Sequence, residues 1–528
     1  MATKAPAPPD LSNALRNLVL IEAAMALHDN RLSEAEPLLR AELKRDPFNV
    51  AAIRMLAELA GRIGRLKDAE ALLRRAVELA PGFIAARSNL ATVLYRQNRS
   101  AEAVEELDAI LAIEPDHIGN ANLKAAALGR IGDYDEALSL YKQVLERISD
   151  QPKIWMSYGH VLKTVGQQQE SITAYRRALA IAPGLGEVWW SLANLKTVRF
   201  DDADVAAMEA QLVRDDISSE DRFHLHFALG KAYEERKEAA HSFPHYDLGN
   251  SLRAEELDYD GAEISTHVDA ATALFTPDFF ATRSGGGCPT PDPIFILGMP
   301  RAGSTLIEQI LSSHSQVEGT MELPDIPAIV RQFGEVAEWP AKIAALDPAR
   351  RTELGQSFLD RTRIQRKTDK PYFIDKMPNN WMNAGFIHLI LPNAKIIDAR
   401  RHPMDCCFSN FKQHFARGQG FSYSLETMGR YYRDYVRMMD HFDAALPGRI
   451  IRVIHEQLLD DPEGEIRHLL AALDLPFEEE CLNFHQNDRA VRTASSEQVR
   501  RPINRDGADQ WKPFEAWLGP LKDALGEA

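Results

Sequence analysis

Between Leu15 and Leu185, small and apolar residues refill the same columns every 34 positions. Ala23, Ala57, Ala91, Ala125, Gly159 and Ala193 share one column, and Ala35, Ala69, Ala103, Ala137 and Ser171 share another. Pro47, Pro81, Pro115 and Pro183 make a third, with Ser149 as the exception. Within a row, apolar residues recur at three-and-four spacing, as in Ala69, Leu72, Leu73, Ala76 and Ala80, which predicts helix. Breaks such as Gly64-Arg65 and Gly132-Asp133 divide each row into two helices. Small residues let the paired helices approach closely, and the proline stops the second one.

This period and residue pattern resemble the tetratricopeptide repeat. Trp155, Gly159, Tyr175, Ala178 and Pro183 give the fullest row, and a partial sixth begins near Glu187. The expected organisation is a disordered lead-in over 1–15, a repeat array over 16–200, degenerate helical pairs and a linker over 201–290, and a second domain over 291–528. Arg283 to Asp292, rich in glycine and proline, reads as a flexible joint. Trp155 and Tyr175 are assigned to packing. A solenoid of this kind implies binding of a protein or peptide on its concave side, where Asn89, Asn122 and Lys124 are candidates.

A different pattern follows the array. Ile294 to Leu297 is a short apolar run suited to a buried parallel strand, Gly298 to Ser304 a turn, and Thr305 to Ser312 an amphipathic helix. Backbone N–H groups of such a loop and the start of its helix favour an anion. Gly298 and Gly303 permit close approach, Arg301 supplies charge, and Ser304 and Thr305 supply hydroxyls. The loop lacks the Gly-Lys-Ser/Thr of a Walker A motif. Lys395 to Ala399 predicts a second buried strand, followed by Arg400-Arg401-His402-Pro403 and a helix carrying Ser409 and Lys412. Further strands are read near Ile374 and over Arg449–Ile454.

The 528 residues exceed one core, and the 45% hydrophobic and 26% charged content is that of folded protein. A net charge of -16 argues against nucleic acid as a partner, so an anionic ligand needs a local basic cluster. Four scattered cysteines show no metal or redox spacing, and no run reaches the length of a membrane span. The cytoplasm is therefore the expected location, with no metal expected.

Taken together, residues 290–515 resemble the sulfotransferases, and among them most the protein-tyrosine sulfotransferases. Pro300-Arg-Ala-Gly-Ser-Thr-Leu306 is similar to the family's phosphosulfate loop, and Arg401 and Ser409 to its 3′-phosphate phrase. Ser495-Ser-Glu-Gln-Val-Arg-Arg-Pro-Ile-Asn504, followed by Trp511, is similar to the segment that covers the nucleotide. The resemblance implies a multidomain chain: an all-α solenoid, then an α/β P-loop-like domain with a central parallel sheet. It implies 3′-phosphoadenylyl sulfate (PAPS) as co-substrate and adenosine 3′,5′-bisphosphate as product. The implied nucleotide-binding residues are Pro300, Arg301, Ala302, Gly303, Ser304, Thr305, Arg401, Ser409, His455, Ser495, Ser496, Arg500, Arg501 and Asn504.

The resemblance also implies Glu322 as catalytic base, with Lys376 and Arg301 at the transferred group; His314 is a rival base that does not match the spacing. Pro324 stands where the tyrosine-directed enzymes carry a substrate-contacting arginine, and Gln510 where a nucleotide-contacting lysine is expected. The expected function is sulfuryl transfer to an acceptor hydroxyl, a protein tyrosine first, with the array recruiting substrate or partner and homo-oligomers allowed. The alternatives are a glycan, lipid or metabolite acceptor, or an inactive repeat scaffold.

Overall fold

The computed structural model describes residues 17–415, 418–491, 493 and 495–526, so the expected lead-in over 1–15 lies outside the described residues. The chain divides between Val161 and Leu162 into two compact units.

The first unit is built of helical pairs: Leu18–His28 with Leu32–Arg45, Val50–Arg62 with Leu66–Leu79, Ile84–Arg96 with Ser100–Leu111, and Ile118–Ile131 with Tyr134–Arg147. Ala23, Ala57, Ala91 and Ala125 are fully buried, as are Ala35, Ala69, Ala103 and Ala137. A methyl group at each of these columns is the whole space available between packed helices. Two further periodic devices hold the stack. One residue per repeat takes left-handed backbone between the paired helices, namely Asn30, Gly64, Asn98, Gly132 and, in the next row, Gly166. These are the residue types that tolerate that conformation. Arg62, Arg96 and Arg130 each reach back about one repeat to a carbonyl, at Leu27 (2.6 Å), Gly61 (2.9 Å) and Tyr95 (2.8 Å).

In the second unit, helices Ser219–Glu235 and Ala239–Leu257 pack as an antiparallel pair and lead through Gly261–Leu274 to the sheet. Tyr175 is fully buried, as expected, whereas Trp155, in the helix that joins the units, is only half-buried and its indole donates to the Ser149 carbonyl at 2.9 Å. Its amphipathic ring covers a surface instead of filling the core.

The expected flexible joint is instead a packed strap. Gly285, Gly286 and Gly287 all have positive φ. An added Cβ at Gly287 would lie 2.8 Å from Pro392 and 2.9 Å from the Leu389 carbonyl. The Cys288 N–H donates to the Ile390 carbonyl at 2.8 Å. Glycine here serves close approach, which composition alone cannot tell from looseness.

Five parallel strands follow: β1 Pro293–Gly298, β2 Val317–Gly319, β3 Tyr372–Lys376, β4 Lys395–Arg400 and β5 Ile450–Ile454, ordered β2-β3-β1-β4-β5. Every residue of β1 is buried, as a central parallel strand requires. Gly298 pairs with Ala399, Ile296 with Lys376 and Arg400 with Ile454. The loops after β1, β3, β4 and β5 therefore open at one edge, and the sheet order reverses at β1, where such sheets form their ligand crevice. Fold class and sheet agree with the sequence reading; β2 was not anticipated, being only three residues long.

Candidate functional site

The crevice starts from two glycines. Gly298 turns the chain at φ 134° with its Cα against the Ala399 carbonyl, where a Cβ would come within 2.4 Å. Gly303, at φ 96°, begins the helix Ser304–Ser312, and a Cβ there would lie 2.7 Å from His455 Nδ1. Between them Arg301 holds left-handed backbone at φ 65°. Such strain in a non-glycine residue persists only where the surroundings fix it. Asn410 Nδ2 fixes it by donating to the Pro300 carbonyl at 2.7 Å, and Arg401 Nη1 by donating to the Arg301 carbonyl at 3.1 Å.

The Arg301 side chain then reaches across the crevice. Its Nε donates to Ser409 Oγ at 3.2 Å, Nη1 to Ser495 Oγ, and Nη2 to Gln498 Oε1 at 3.3 Å. Burial and the facing Arg401 guanidinium push Arg301 down to about 10. Arg401 Nη2 donates to the Gly507 carbonyl, while its Nε has no hydrogen-bond partner among the described residues. His455, at the end of β5, is lowered to about 4 by burial and then by Arg401 and Arg301. Its Nδ1 is likewise unpartnered. Two guanidiniums and a neutral imidazole at a helix N-terminus form a buried cationic focus with unspent donors.

The cleft above this focus has an empty volume of about 790 Å³ counted to its mouth, and Arg301, Ser304, Arg401, Ser409, Arg501 and Asn504 line it. Gly303, Thr305, His455 and Ser495 complete the expected residues found there. Pro300 and Ala302 are buried and shape the loop from behind. Ser496 is buried outside the lining. Arg500 is turned away: its Nη2 donates to the carbonyls of Thr164 (3.3 Å) and Arg489 (3.4 Å), over Gly166. Adjacent arginines on this cover segment thus point in different directions, a distinction linear spacing does not carry.

Glu322 and Lys376 pair directly at the end of β3, Lys376 almost wholly buried and Glu322 exposed on one side. The backbone holds them there. Lys376 N–H donates to the Met321 carbonyl at 3.3 Å, and Leu323 N–H to Asp375 Oδ1 at 3.3 Å. Neither side chain lines the cleft beside Arg301; they stand one strand over, on the same edge. His314 takes no part, its Nε2 lying 2.9 Å from the Pro476 carbonyl in a fully buried site. Among the described residues no group of three or more His, Cys, Asp or Glu could hold a metal ion, and no helix is long and apolar enough to cross a membrane.

Sequence reasoning missed several wall residues. Gln498 receives Arg301; Gln510, which the sequence did single out, accepts from Lys412 Nζ at 3.0 Å. Lys196 and Lys231, from helical segments preceding the sheet, line adjoining cavities. No linear signal links them to a loop some 70 to 105 residues later.

The profile of the sulfotransferase family matches residues 293–479, and tetratricopeptide-repeat profiles match 19–84, 63–127 and 122–185. An uncharacterized protein of Aquifex aeolicus (strain VF5) is 32% identical over 403 residues, covering 74% of this chain and 52% of that protein. Protein-tyrosine sulfotransferase A of Caenorhabditis elegans is 25% identical over 243 residues, 44% of this chain and 64% of that protein. The chain thus spans between half and two thirds of these two relatives. Among solved structures, the sulfotransferase domain from the Synechococcus PCC 7002 olefin synthase aligns at 22% identity and a TM-score of 0.32, covering 42% of this chain and 88% of that one. A tetratricopeptide repeat protein from Parabacteroides merdae ATCC 43184 aligns at 16% identity and a TM-score of 0.36, covering 44% and 91%.

Proposed function

From a chain that joins tetratricopeptide repeats to a sulfotransferase-family domain, we propose a PAPS-dependent enzyme that transfers a sulfuryl group to a hydroxyl, a protein tyrosine first. The observation that carries this is the convergence of Arg301 and Arg401 at the N-terminus of Ser304–Ser312, with Arg401 Nε and His455 Nδ1 left as unpartnered buried atoms. Arg401 Nε, and His455 Nδ1 in the tautomer that places the proton there, fit an anionic nucleotide. Arg301, Gly303, Ser304 and Thr305 would hold the phosphosulfate end, and Arg401 and Ser409 the 3′-phosphate. PAPS supplies the activated sulfonate; the protein supplies alignment, charge neutralisation and a base.

Glu322, with one side open to solvent, is the group able to take a proton from an acceptor hydroxyl. Lys376, buried against it, holds the carboxylate in place in the resting site and brings its ammonium to the edge where sulfonate charge builds. Neutralisation by arginine and lysine suffices for such a step without a metal. The repeat array is assigned to recruiting the protein substrate or partner, and the location to the cytoplasm. Relatives named as protein-tyrosine sulfotransferases support this acceptor class.

The decisive experiment is incubation with radiolabelled PAPS and cell extract. Label on tyrosine in protein is the expected result. Label in lipid, glycan or small molecules reassigns the acceptor, and no label transfer at all sinks the enzyme reading.

A further inference from the structure

Beside the nucleotide cleft lies a second basic cavity that the sulfotransferase-family segment does not build alone. It has an empty volume of about 440 Å³ and is lined by Lys196, Lys231, Glu234, Lys412 and Gln510, and it shares Arg301, Ser409 and Gln498 with the cleft. Lys196 follows the helix Gly186–Ala193, and Lys231 lies on Ser219–Glu235, both outside the segment 293–479. A further cavity of about 610 Å³ runs from the same two lysines to Arg501 and Asn504 on the cover segment, with Glu497 and Asp506 also in its wall.

Lys196, Lys231, Lys412 and Arg301 gather about this cavity, with Glu234 in the same lining. Lys412 and Lys231 face Glu234, Lys412 in direct contact and Lys231 at 3.6 Å. Lys231 also lies 3.5 Å from Glu235. Lys196 Nζ and Arg301 Nη2 both donate to one neutral acceptor, Gln498 Oε1, each at 3.3 Å. Burial, then Arg301 and the neighbouring lysines, hold Lys196 well below the usual lysine range. Like charges crowded about a polar cavity are relieved by an anion, and a dianion relieves them most.

The helix N-terminus at Gly303 and this lysine wall are two separate anion foci, joined by Arg301 and Ser409. A ligand that fills both carries two anionic groups. We propose that Lys196 and Lys231 of the preceding helical segment form, with Lys412, the wall that selects a nucleotide bearing a second phosphomonoester on its ribose. This deepens the sulfotransferase reading and rests on it. It makes the helical segment from Gly186 to Glu235 part of the donor site, where the family profile alone would place it outside.

The test is calorimetry on the full chain with two probes, adenosine 3′,5′-bisphosphate and adenosine 5′-monophosphate. In K196Q/K231Q the bisphosphate Kd should rise by roughly tenfold or more, the loss of charge-assisted contacts. The monophosphate Kd should stay within about twofold, which also reports an intact cleft. K196R/K231R should keep the wild-type preference. An unchanged bisphosphate Kd in K196Q/K231Q, or an equal loss for both nucleotides, overturns the lysine wall and leaves sulfuryl transfer standing. Failure of the wild type to bind either nucleotide overturns both.

Discussion

Arg401 donates from Nη1 to the main-chain carbonyl of Arg301, so the two cations of the site are coupled through backbone. Arg401 both presents charge and holds the loop in the left-handed turn that aims Arg301 inward. Burial, and after it repulsion from the Arg401 guanidinium, lowers Arg301 in the resting site. An anion between the two guanidiniums offsets that repulsion.

Arg301→Ala and Arg401→Ala should each weaken adenosine 3′,5′-bisphosphate binding by about 1.5–3 kcal/mol, the range for a charge-assisted hydrogen bond. The Arg401 change should also loosen the loop, so Arg401→Ala is expected to be the costlier. Calorimetric affinities matching the wild type would remove both from the nucleotide site.

Glu322→Gln tests the base separately from binding. The amide cannot accept the acceptor proton, so turnover should fall by about two to four orders of magnitude while nucleotide affinity holds. Lys376→Ala should lower turnover too, since it leaves Glu322 without its buried partner. Single-turnover rates at saturating donor decide the matter; a Glu322→Gln rate like the wild type would transfer the role to another group.

Gly303→Ala asks whether the loop's shape is required. The left-handed φ alone strains an alanine, and its Cβ would meet His455 Nδ1 at 2.7 Å. A cost of about 1–3 kcal/mol in stability is expected, with nucleotide binding lost out of proportion to it. Thermal melting and calorimetry on the same sample separate the two effects.

How much of this was legible beforehand follows from the range of the signals. The repeat columns recur every 34 residues, and each buried alanine announces itself locally. Gly298, Arg301 and Gly303 sit within one turn, and Arg401 directly follows a strand whose four central residues are buried, so both foci could be read from short phrases. The orientation of Arg500 away from the cleft depends on Gly166, more than 300 residues earlier. Lys196 and Lys231 share a cavity with Ser409 and Lys412 only through the packing of segments distant along the chain. The strap at Gly285–Gly287 failed for a related reason: loose and tightly packed glycines have the same composition.

Acid should destabilise this protein through its buried histidines. His224, His226, His388 and His455 are each lowered to about 4, burial being the leading cause in all four. The folded chain keeps them neutral, whereas the unfolded chain protonates them near the usual 6.5. Between those values the unfolded state binds more protons, so stability increases with pH through the window and is lost as pH falls from about 6.5 towards 4. Each group contributes on the order of 1 kcal/mol per pH unit across it. The melting temperature should therefore be level above pH 7 and drop steeply between pH 6.5 and 5. His224→Gln, which cannot titrate, should flatten that slope even if it lowers the plateau. A melting temperature unchanged from pH 7 to pH 5 would mean the histidines are solvated and the helical pair carrying His224 and His226 is open.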